Sequence, residues 1–155
     1  MKEQRNYYSD GKFKTIGFPV SHKENEKRRA IMSDHVSGIN HPDRLFFEEG
    51  HGLVLEIPNK EYARYGCIIA PRETVLEQDV ICDPKIGDAD YLESLHKGQT
   101  IFGWVHATQN RDITDKIING GLTAYAWENM NYKGRHLFWR NNELAGEAAV
   151  MHAFQ

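Results

Sequence analysis

Short apolar segments alternate with helix-forming segments along most of the chain. Apolar runs at residues 15–18, 53–57, 67–69, 79–82, 100–105 and 122–127 predict strands, and residues 33–38, 42–49, 60–65, 71–78 and 112–119 predict helices. Strands that alternate with helices form βαβ units, and such strands lie parallel in one sheet. The sequence therefore predicts a single three-layer α/β domain with a mostly parallel sheet of about five strands, flavodoxin-like in layout.

The size and composition of the chain suit one globular domain without a nucleic-acid or membrane partner. The 155 residues are 40% hydrophobic and carry a formal net charge of -3, so no basic surface for nucleic acid or acidic lipid is expected. No apolar run reaches the roughly 18 residues that cross a bilayer, and the polar start does not resemble a secretory signal. Cys67 and Cys82 predict two buried free thiols in a cytoplasmic protein.

The two ends of the chain differ from its middle. Residues 1–13 are polar and contain a Ser-Asp-Gly turn signal, which predicts a partly disordered leader. Residues 14–140 hold all the predicted strands and form the domain proper. Residues 141–155 are rich in alanine and predict a helix that packs onto something that follows it.

Polar side chains follow three of the predicted strands at the point where each strand ends. Asp83 and Lys85 follow the strand at 79–82, His106 follows the next strand, and Glu128 follows the last one. Ligands of open parallel sheets collect at the carboxyl ends of the strands, so these side chains are expected to converge. A lysine, a histidine and a carboxylate in one cleft suit acid–base chemistry on a carbonyl or an imine.

A basic segment follows the first strand. Lys23, Lys27, Arg28 and Arg29 are mixed with acidic residues, which is typical of a solvated face. The position at a carboxyl strand end also suits an arginine that binds a carboxylate through two parallel hydrogen bonds. Both interpretations stay open on the residues alone.

Other common sites are not indicated by the sequence. There is no G-x-G-x-x-G or Walker pattern, and the pair Gly120-Gly121 follows a helix with the wrong spacing for a phosphate loop. His41 and His51 have no partners at metal-ligand spacing, so no metal site is expected. No G-x-S-x-G nucleophile elbow is present.

Four segments together resemble a known family. Residues 16–19 (IGFP) with 25–30 (NEKRRA), residues 79–85 (DVICDPK), residues 101–106 (IFGWVH) and residues 143–146 (ELAG) resemble, in this order, segments of the N-terminal domain of alanine dehydrogenases and transhydrogenases. Residues 18–29 and 103–107 are most similar to the N5-(carboxyethyl)ornithine synthases of that superfamily. The resemblance covers roughly residues 14–155 and identifies residues 14–140 as the substrate domain and 141–155 as an interdomain helix.

The resemblance implies an NADP(H)-dependent oxidoreductase that reductively condenses pyruvate with the side-chain amine of ornithine or another basic amino acid. Arg28, or its neighbour Arg29, would hold the keto-acid carboxylate. Lys85 would polarise the carbonyl or exchange protons with the carbinolamine, and His106 would be the second proton carrier, because histidine ordinarily changes charge near neutral pH. Glu128 and Arg135 would complete the substrate site.

The cofactor is expected to bind elsewhere than in these residues. Enzymes of this family carry the dinucleotide in a second domain with a glycine fingerprint, and no such fingerprint occurs here, so the chain is expected to be a fragment without turnover of its own. The alternatives are an alanine or saccharopine dehydrogenase-like enzyme, or a non-catalytic keto-acid-binding module. A homo-oligomer or a separate cofactor domain would complete the assembly.

Overall fold

A computed structural model describes residues 14–154 and shows one six-stranded sheet in which every neighbouring pair is parallel. The strands are β1 (Ile16–Phe18), β2 (Leu45–Glu48), β3 (Ile68–Ala70), β4 (Val80–Cys82), β5 (Thr100–Gly103) and β6 (Thr123–Ala126). Their order is β3-β2-β1-β4-β5-β6. The α/β class is confirmed, and β3 is the outer strand beyond the five of a flavodoxin-like order.

Four helices and a small hairpin complete the regular structure of the described residues. The helices are α1 (Lys60–Ala63), α2 (Arg72–Leu76), α3 (Arg111–Gly120) and α4 (Trp139–Ala153). The hairpin pairs β7 (Asn131–Tyr132) with β8 (Arg135–His136) in antiparallel fashion. Single 3₁₀ turns lie at Ser33–Gly38, Pro42–Arg44, Leu53–Leu55, Ile86–Asp88, Leu92–Ser94 and Trp127–Asn129.

The prediction for residues 42–57 was wrong. The expected helix at 42–49 is a 3₁₀ turn followed by β2, and the expected strand at 53–57 is a 3₁₀ turn with an exposed Leu53. Alternating Leu45 and Phe47 lie in the core and Phe47 is fully buried, which favours a strand at that position. Residues 45–48 and 53–57 are both apolar, and burial in the folded chain determines which of them forms a strand.

The sheet separates two clusters of buried side chains. Ile101 belongs to one cluster and Phe102, the next residue of β5, packs against the other, because neighbouring residues of a strand point to opposite faces. One cluster centres on Phe18, Phe47 and Tyr62, and the second includes Ile81 and Ile101. Apolar side chains thus cover both faces of the sheet, as a three-layer domain requires.

The predicted buried thiols and the predicted C-terminal helix are both present. Cys67 and Cys82 are free and buried, and burial raises the pKa of the Cys67 thiol to about 11. The tail helix is present as α4, with Leu144 and Met151 largely exposed. The expected leader at 1–13 lies outside the described residues. Among residues 14–154, none of the helices is long and apolar enough to cross a membrane.

Candidate active site

A cleft of about 220 Å³ opens beside the carboxyl ends of the strands. Its lining comes from the segments after β1, β4, β5 and β6 and from α4, namely Arg28, Arg29, Ala30, Pro84, Trp104, Trp127, Phe138 and Asn141. The chain runs from β1 to β2 and β3 on one side and returns to β4 on the other, so β1 and β4 flank the switch point of the sheet. Open α/β sheets bind their ligands at this point.

The two arginines after β1 have different environments. Arg28 forms a bidentate pair with Glu26, with Nη2 2.6 Å from Oε2, and Nη1 donates to Asn141 Oδ1 at 2.9 Å. The hydrogen bonds that Arg28 donates to Glu26 raise the pKa of Arg28. Arg29 instead donates to the backbone carbonyl of His51, and burial lowers its pKa. Arg28 is therefore the arginine whose guanidinium already binds a carboxylate in a fork.

Lys85 follows the cleft residue Pro84 at the end of β4. Its backbone amide donates to Asp83 Oδ1 at 2.8 Å, and its ammonium lies 3.9 Å from Asp88 Oδ2. Burial opposes ionisation of Glu26, but hydrogen bonds from Arg28 and the charge of Lys85 lower the pKa of that carboxyl overall. Lys85 and Arg28 thus act electrostatically on the same carboxylate.

Two glycines bring the Lys85 loop into backbone contact with the strand that leads to His106. A Cβ at Gly103 would lie 1.9 Å from the carbonyl oxygen of Asp83, and a Cβ at Gly87 would lie 2.0 Å from that of Val105. The amide of Gly87 donates to Trp104 at 3.2 Å. A side chain at either glycine would push the loop away, so the absence of Cβ atoms sets the close approach of the two predicted proton-transfer segments.

His106 has a left-handed backbone, with φ of 57°, which is uncommon for a residue other than glycine. Glu128 holds this conformation, because Oε1 accepts from the His106 amide at 2.5 Å and Oε2 accepts from the Val105 amide at 3.2 Å. The His106 ring lies parallel to the Trp104 ring, with centroids 6.2 Å apart. Its Nδ1 is buried and has no hydrogen-bond partner among the described residues.

An aromatic wall, formed by Trp104, Trp127 and Phe138, lines the same cleft as the two arginines. The Trp127 and Phe138 rings stack at 4.7 Å, and Trp104 meets Trp127 edge to face at 6.2 Å. The wall was not anticipated from the sequence as part of a site. Its only signal is that Trp104 and Trp127 follow β5 and β6 directly, at the positions where such a sheet binds ligands.

Arg135 lies in the β7–β8 hairpin and is not among the residues that line the cleft. Its guanidinium is 4.0 Å from the centroid of the Trp139 ring, a cation–π contact on an exposed side chain. This hairpin was not predicted from the sequence. A substrate-binding role for Arg135 stays a prediction, as do the roles of Arg28, Lys85, His106 and Glu128.

The buried side chains of Asp83 and Tyr91 support the loop that carries Lys85. The Tyr91 hydroxyl donates to Asp83 Oδ2 at 2.7 Å, and Asp83 is fully buried. Burial raises the pKa of Asp83 even though the Lys85 amide and Tyr91 donate to it, and burial also raises the pKa of Tyr91. Asp83 stood out in the sequence at a strand end, but Tyr91 carried no recognisable signal.

The described residues offer no cradle for a dinucleotide or a metal ion. Gly120 and Gly121 end α3 instead of starting a helix, and Gly121 forms its left-handed cap with φ of 61°. No group of three or more histidine, cysteine or acidic side chains within residues 14–154 is arranged to hold a metal. The described residues therefore contain no glycine loop of the kind that binds the pyrophosphate of a dinucleotide.

Comparisons with known proteins agree with this architecture. The family model for the alanine dehydrogenase/PNT N-terminal domain matches residues 17–139. An N(5)-(carboxyethyl)ornithine synthase of Clostridium botulinum is 30% identical over 154 residues, covering 89% of this chain and 48% of that protein. An alanine dehydrogenase of Bacillus subtilis is 29% identical and matches 87% of this chain and 36% of its own length.

Solved structures show the same fold. An L-alanine dehydrogenase superposes with a TM-score of 0.67 at 21% identity, covering 78% of this chain and 34% of that one. A transhydrogenase from Sinorhizobium meliloti superposes with a TM-score of 0.65. The chain spans about half or less of the length of these relatives. The chain belongs to the alanine dehydrogenase/PNT N-terminal domain family.

Proposed function

We propose that this chain is the substrate-binding part of an NADP-dependent oxidoreductase that reductively condenses pyruvate with the side-chain amine of ornithine. The observation that supports this most is that Arg28 lines one cleft with Pro84, the neighbour of Lys85, and with Trp104, two residues before His106. The segments that carry Lys85 and His106 are in backbone contact through Gly87 and Gly103. The similarity to an N(5)-(carboxyethyl)ornithine synthase supports the choice of substrates.

Arg28 binds the carboxylate of the keto acid in this proposal. A guanidinium forms two parallel charge-assisted hydrogen bonds with a carboxylate, and Arg28 already does so with Glu26. The substrate carboxylate then either replaces Glu26 on the guanidinium of Arg28 or binds beside it. The neighbouring Arg29 is less suited, because its guanidinium is directed at the His51 carbonyl.

Lys85 and His106 move protons during the condensation. Addition of the neutral amine to the keto group gives a carbinolamine, and loss of water from that adduct requires a proton donor at the hydroxyl oxygen and an acceptor for the proton on nitrogen. A lysine ammonium and an imidazole supply a donor and an acceptor. Glu128 fixes the backbone of His106. Arg135 binds the second substrate carboxylate, and the next residue, His136, already contacts Trp104 of the cleft.

NADP(H), bound by another domain of the protein, would supply the hydride for the reduction. We place the reaction in the cytoplasm, where thiols such as Cys67 and Cys82 stay reduced. Residues 141–155 then connect the substrate domain to a cofactor domain, or associate with a second copy. The exposed apolar side chains of α4, such as Val150 and Met151, support such a contact.

An alanine dehydrogenase-like reaction is the second candidate, because an alanine dehydrogenase matches 87% of this chain. In that reaction ammonia replaces the side-chain amine. Binding of ornithine to the pyruvate-saturated chain supports the first candidate, and a response to ammonium but not to ornithine supports the second. Pyruvate binding without any response to an amine supports a keto-acid-binding module.

Calorimetric titration of the chain with pyruvate tests the proposal. Arg28→Met is expected to weaken binding by about tenfold or more, the loss of a hydrogen bond to a charged group. Arg111→Met is the control, because Arg111 lies on α3 and contacts Asp115. Acetone, which lacks a carboxylate, should not bind. Equal affinity for pyruvate in the Arg28→Met and Arg111→Met variants would refute the assignment of Arg28.

A further inference from the structure

The guanidinium of Arg72, the first residue of α2, contacts three separate segments of the chain. Its Nη1 donates to the Val20 carbonyl at 3.0 Å and lies 3.1 Å from Glu48 Oε2 and from His22 Nε2. Its Nη2 donates to Asp90 Oδ1 at 2.9 Å. The Arg72 side chain is only 19% exposed.

These contacts fix the segment that leads to Arg28. Residues 20–29 contain no helix or strand, so polar contacts must hold them in place. The Val20 amide donates to Glu48 Oε2 at 2.7 Å, and His22 Nδ1 lies 2.9 Å from Asp90 Oδ2. Glu48 and Asp90 both pair with Arg72, so the guanidinium joins the two anchors of the segment.

The same guanidinium contacts the structure beneath Lys85. It lies 5.0 Å from the centroid of the Tyr91 ring. The Tyr91 hydroxyl donates to Asp83, which accepts from the Lys85 amide. Arg72 thus touches both the segment that carries Arg28 and the loop that carries Lys85.

We propose that Arg72 is a positioning residue that sets the spacing between Arg28 and Lys85 by joining residues 20–22 to residues 83–91. The inference rests on the proposed function only for its consequence, which is the affinity for a keto acid. A planar guanidinium suits this position because its fork reaches several acceptors in fixed directions, whereas an ammonium is a point charge. Arg72→Lys therefore keeps the charge and loses the geometry.

Arg64 provides a matched control. It lies just after α1, pairs with Glu61 at 2.9 Å and lies 4.7 Å from the centroid of the Tyr65 ring. It therefore has the same two kinds of contact as Arg72, but both partners lie within α1 and the turn that follows. Arg64→Met measures the effect of removing such an arginine without touching either site segment.

Amide hydrogen exchange of the folded chain tests the positioning role directly. Arg72→Met is expected to accelerate exchange at the Val20 and Lys85 amides by about tenfold or more, since hydrogen bonds to charged groups are lost. Arg64→Met should leave both amides unchanged. Unchanged exchange at Val20 and Lys85 in a folded Arg72→Met variant, with native circular dichroism, overturns the proposal whatever the chain binds.

A double-mutant cycle with pyruvate separates positioning from general destabilisation. Arg72→Met should weaken pyruvate binding by about tenfold, and Arg72→Lys should restore only part of the loss. In the Arg28→Met background the Arg72→Met change should have little further effect, because contacts that act as a unit are not additive. Full additivity contradicts the proposal. If the unmodified chain fails to bind pyruvate, the proposed function fails, and the exchange measurement still decides the role of Arg72.

Discussion

The carboxylate of Glu128 accepts hydrogen bonds from the amides of both Val105 and His106, and so holds His106 in a left-handed backbone conformation. Such a conformation is strained for a side chain with a Cβ and persists only where its surroundings enforce it. The contact joins the ends of β5 and β6, which are adjacent in the sheet. Glu128 therefore acts on His106 through the backbone, and a substrate contact of Glu128 stays a prediction.

Glu128→Gln should destabilise the fold and release His106. An amide nitrogen cannot accept, so one of the two backbone amides loses its partner at an expected cost of about 1–3 kcal/mol in the free energy of unfolding. Urea unfolding measures this change. Glu143→Gln, on the exposed face of α4, is the control and should change the stability little. Equal stabilities of the two variants would contradict the role given to Glu128.

Gly103→Ala should be strongly unfavourable. The new Cβ would lie 1.9 Å from the Asp83 carbonyl oxygen, so β5 and the Lys85 loop must separate, and overpacking of this kind typically costs about 1–3 kcal/mol. Gly146→Ala is the matched control, since nothing lies within 4 Å of its Cβ on α4, and alanine there should stabilise by roughly 0.5–1 kcal/mol. Thermal denaturation compares the two. A Gly103→Ala variant as stable as the unmodified chain would show that the loop is not held this closely.

Acid should destabilise the fold through His51. Burial among Phe18, Phe47 and Tyr62 lowers the pKa of His51 to about 3, and the charge of Arg29 adds to this effect. An unfolded histidine titrates near 6.5, so between pH 6.5 and 3 the unfolded state binds a proton that the folded state does not. This contribution to stability is complete above about pH 6.5 and decreases as the pH falls towards 3, by up to about 1.4 kcal/mol per unit.

Removing the imidazole should flatten this dependence. Neither ring nitrogen of His51 has a hydrogen bond among the described residues, although the carbonyls of Phe18 and Pro19 lie close enough to act electrostatically. His51→Leu is therefore expected to fold, and its unfolding free energy should vary less between pH 6.5 and pH 4 than that of the unmodified chain. His35→Leu, at an exposed histidine, should keep the original slope. A slope unchanged in His51→Leu would contradict the account.

The chain by itself should not oxidise NADPH. Its described residues offer the dinucleotide no phosphate loop, and positioning of hydride donor and imine supplies several kcal/mol of the barrier. The absorbance of NADPH, followed over time with pyruvate and ornithine present, measures whether the chain oxidises it. The N(5)-(carboxyethyl)ornithine synthase of Clostridium botulinum serves as the positive control for the assay. Substrate-dependent oxidation of NADPH by the chain alone would refute the proposal that another domain binds the cofactor.

Much of the sheet could be predicted because its signals are local. The strands at β4, β5 and β6 are short apolar runs next to turn residues, and their carboxyl ends carry Lys85, His106 and Glu128 as expected. The position of β2 could not be predicted, because residues 45–48 and 53–57 are both apolar and only long-range packing decides between them. Local sequence also cannot show that distant segments meet.

The contacts that organise the site are of this long-range kind. Glu128, after β6, accepts from the His106 amide after β5, and Arg72 of α2 donates to Val20 in the segment after β1. The hairpin at β7 and β8 has only two residues on each side, too short for a periodic signal. The candidate site residues, with Asp83 and Glu128, could be named from the sequence, but the contacts of Arg72 and Tyr91 that support them could not.

The most direct test of the central claim follows the His106 ring by NMR while pyruvate is added to the chain. Binding at the cleft should shift the His106 ring resonances, because the ring lies against Trp104 in the wall of the cleft and its Nδ1 has no partner in the described structure. The shift should disappear in Arg28→Met and persist in Arg111→Met. Pyruvate binding that leaves the His106 resonances unmoved, or shifts that are the same in Arg28→Met, would contradict the account.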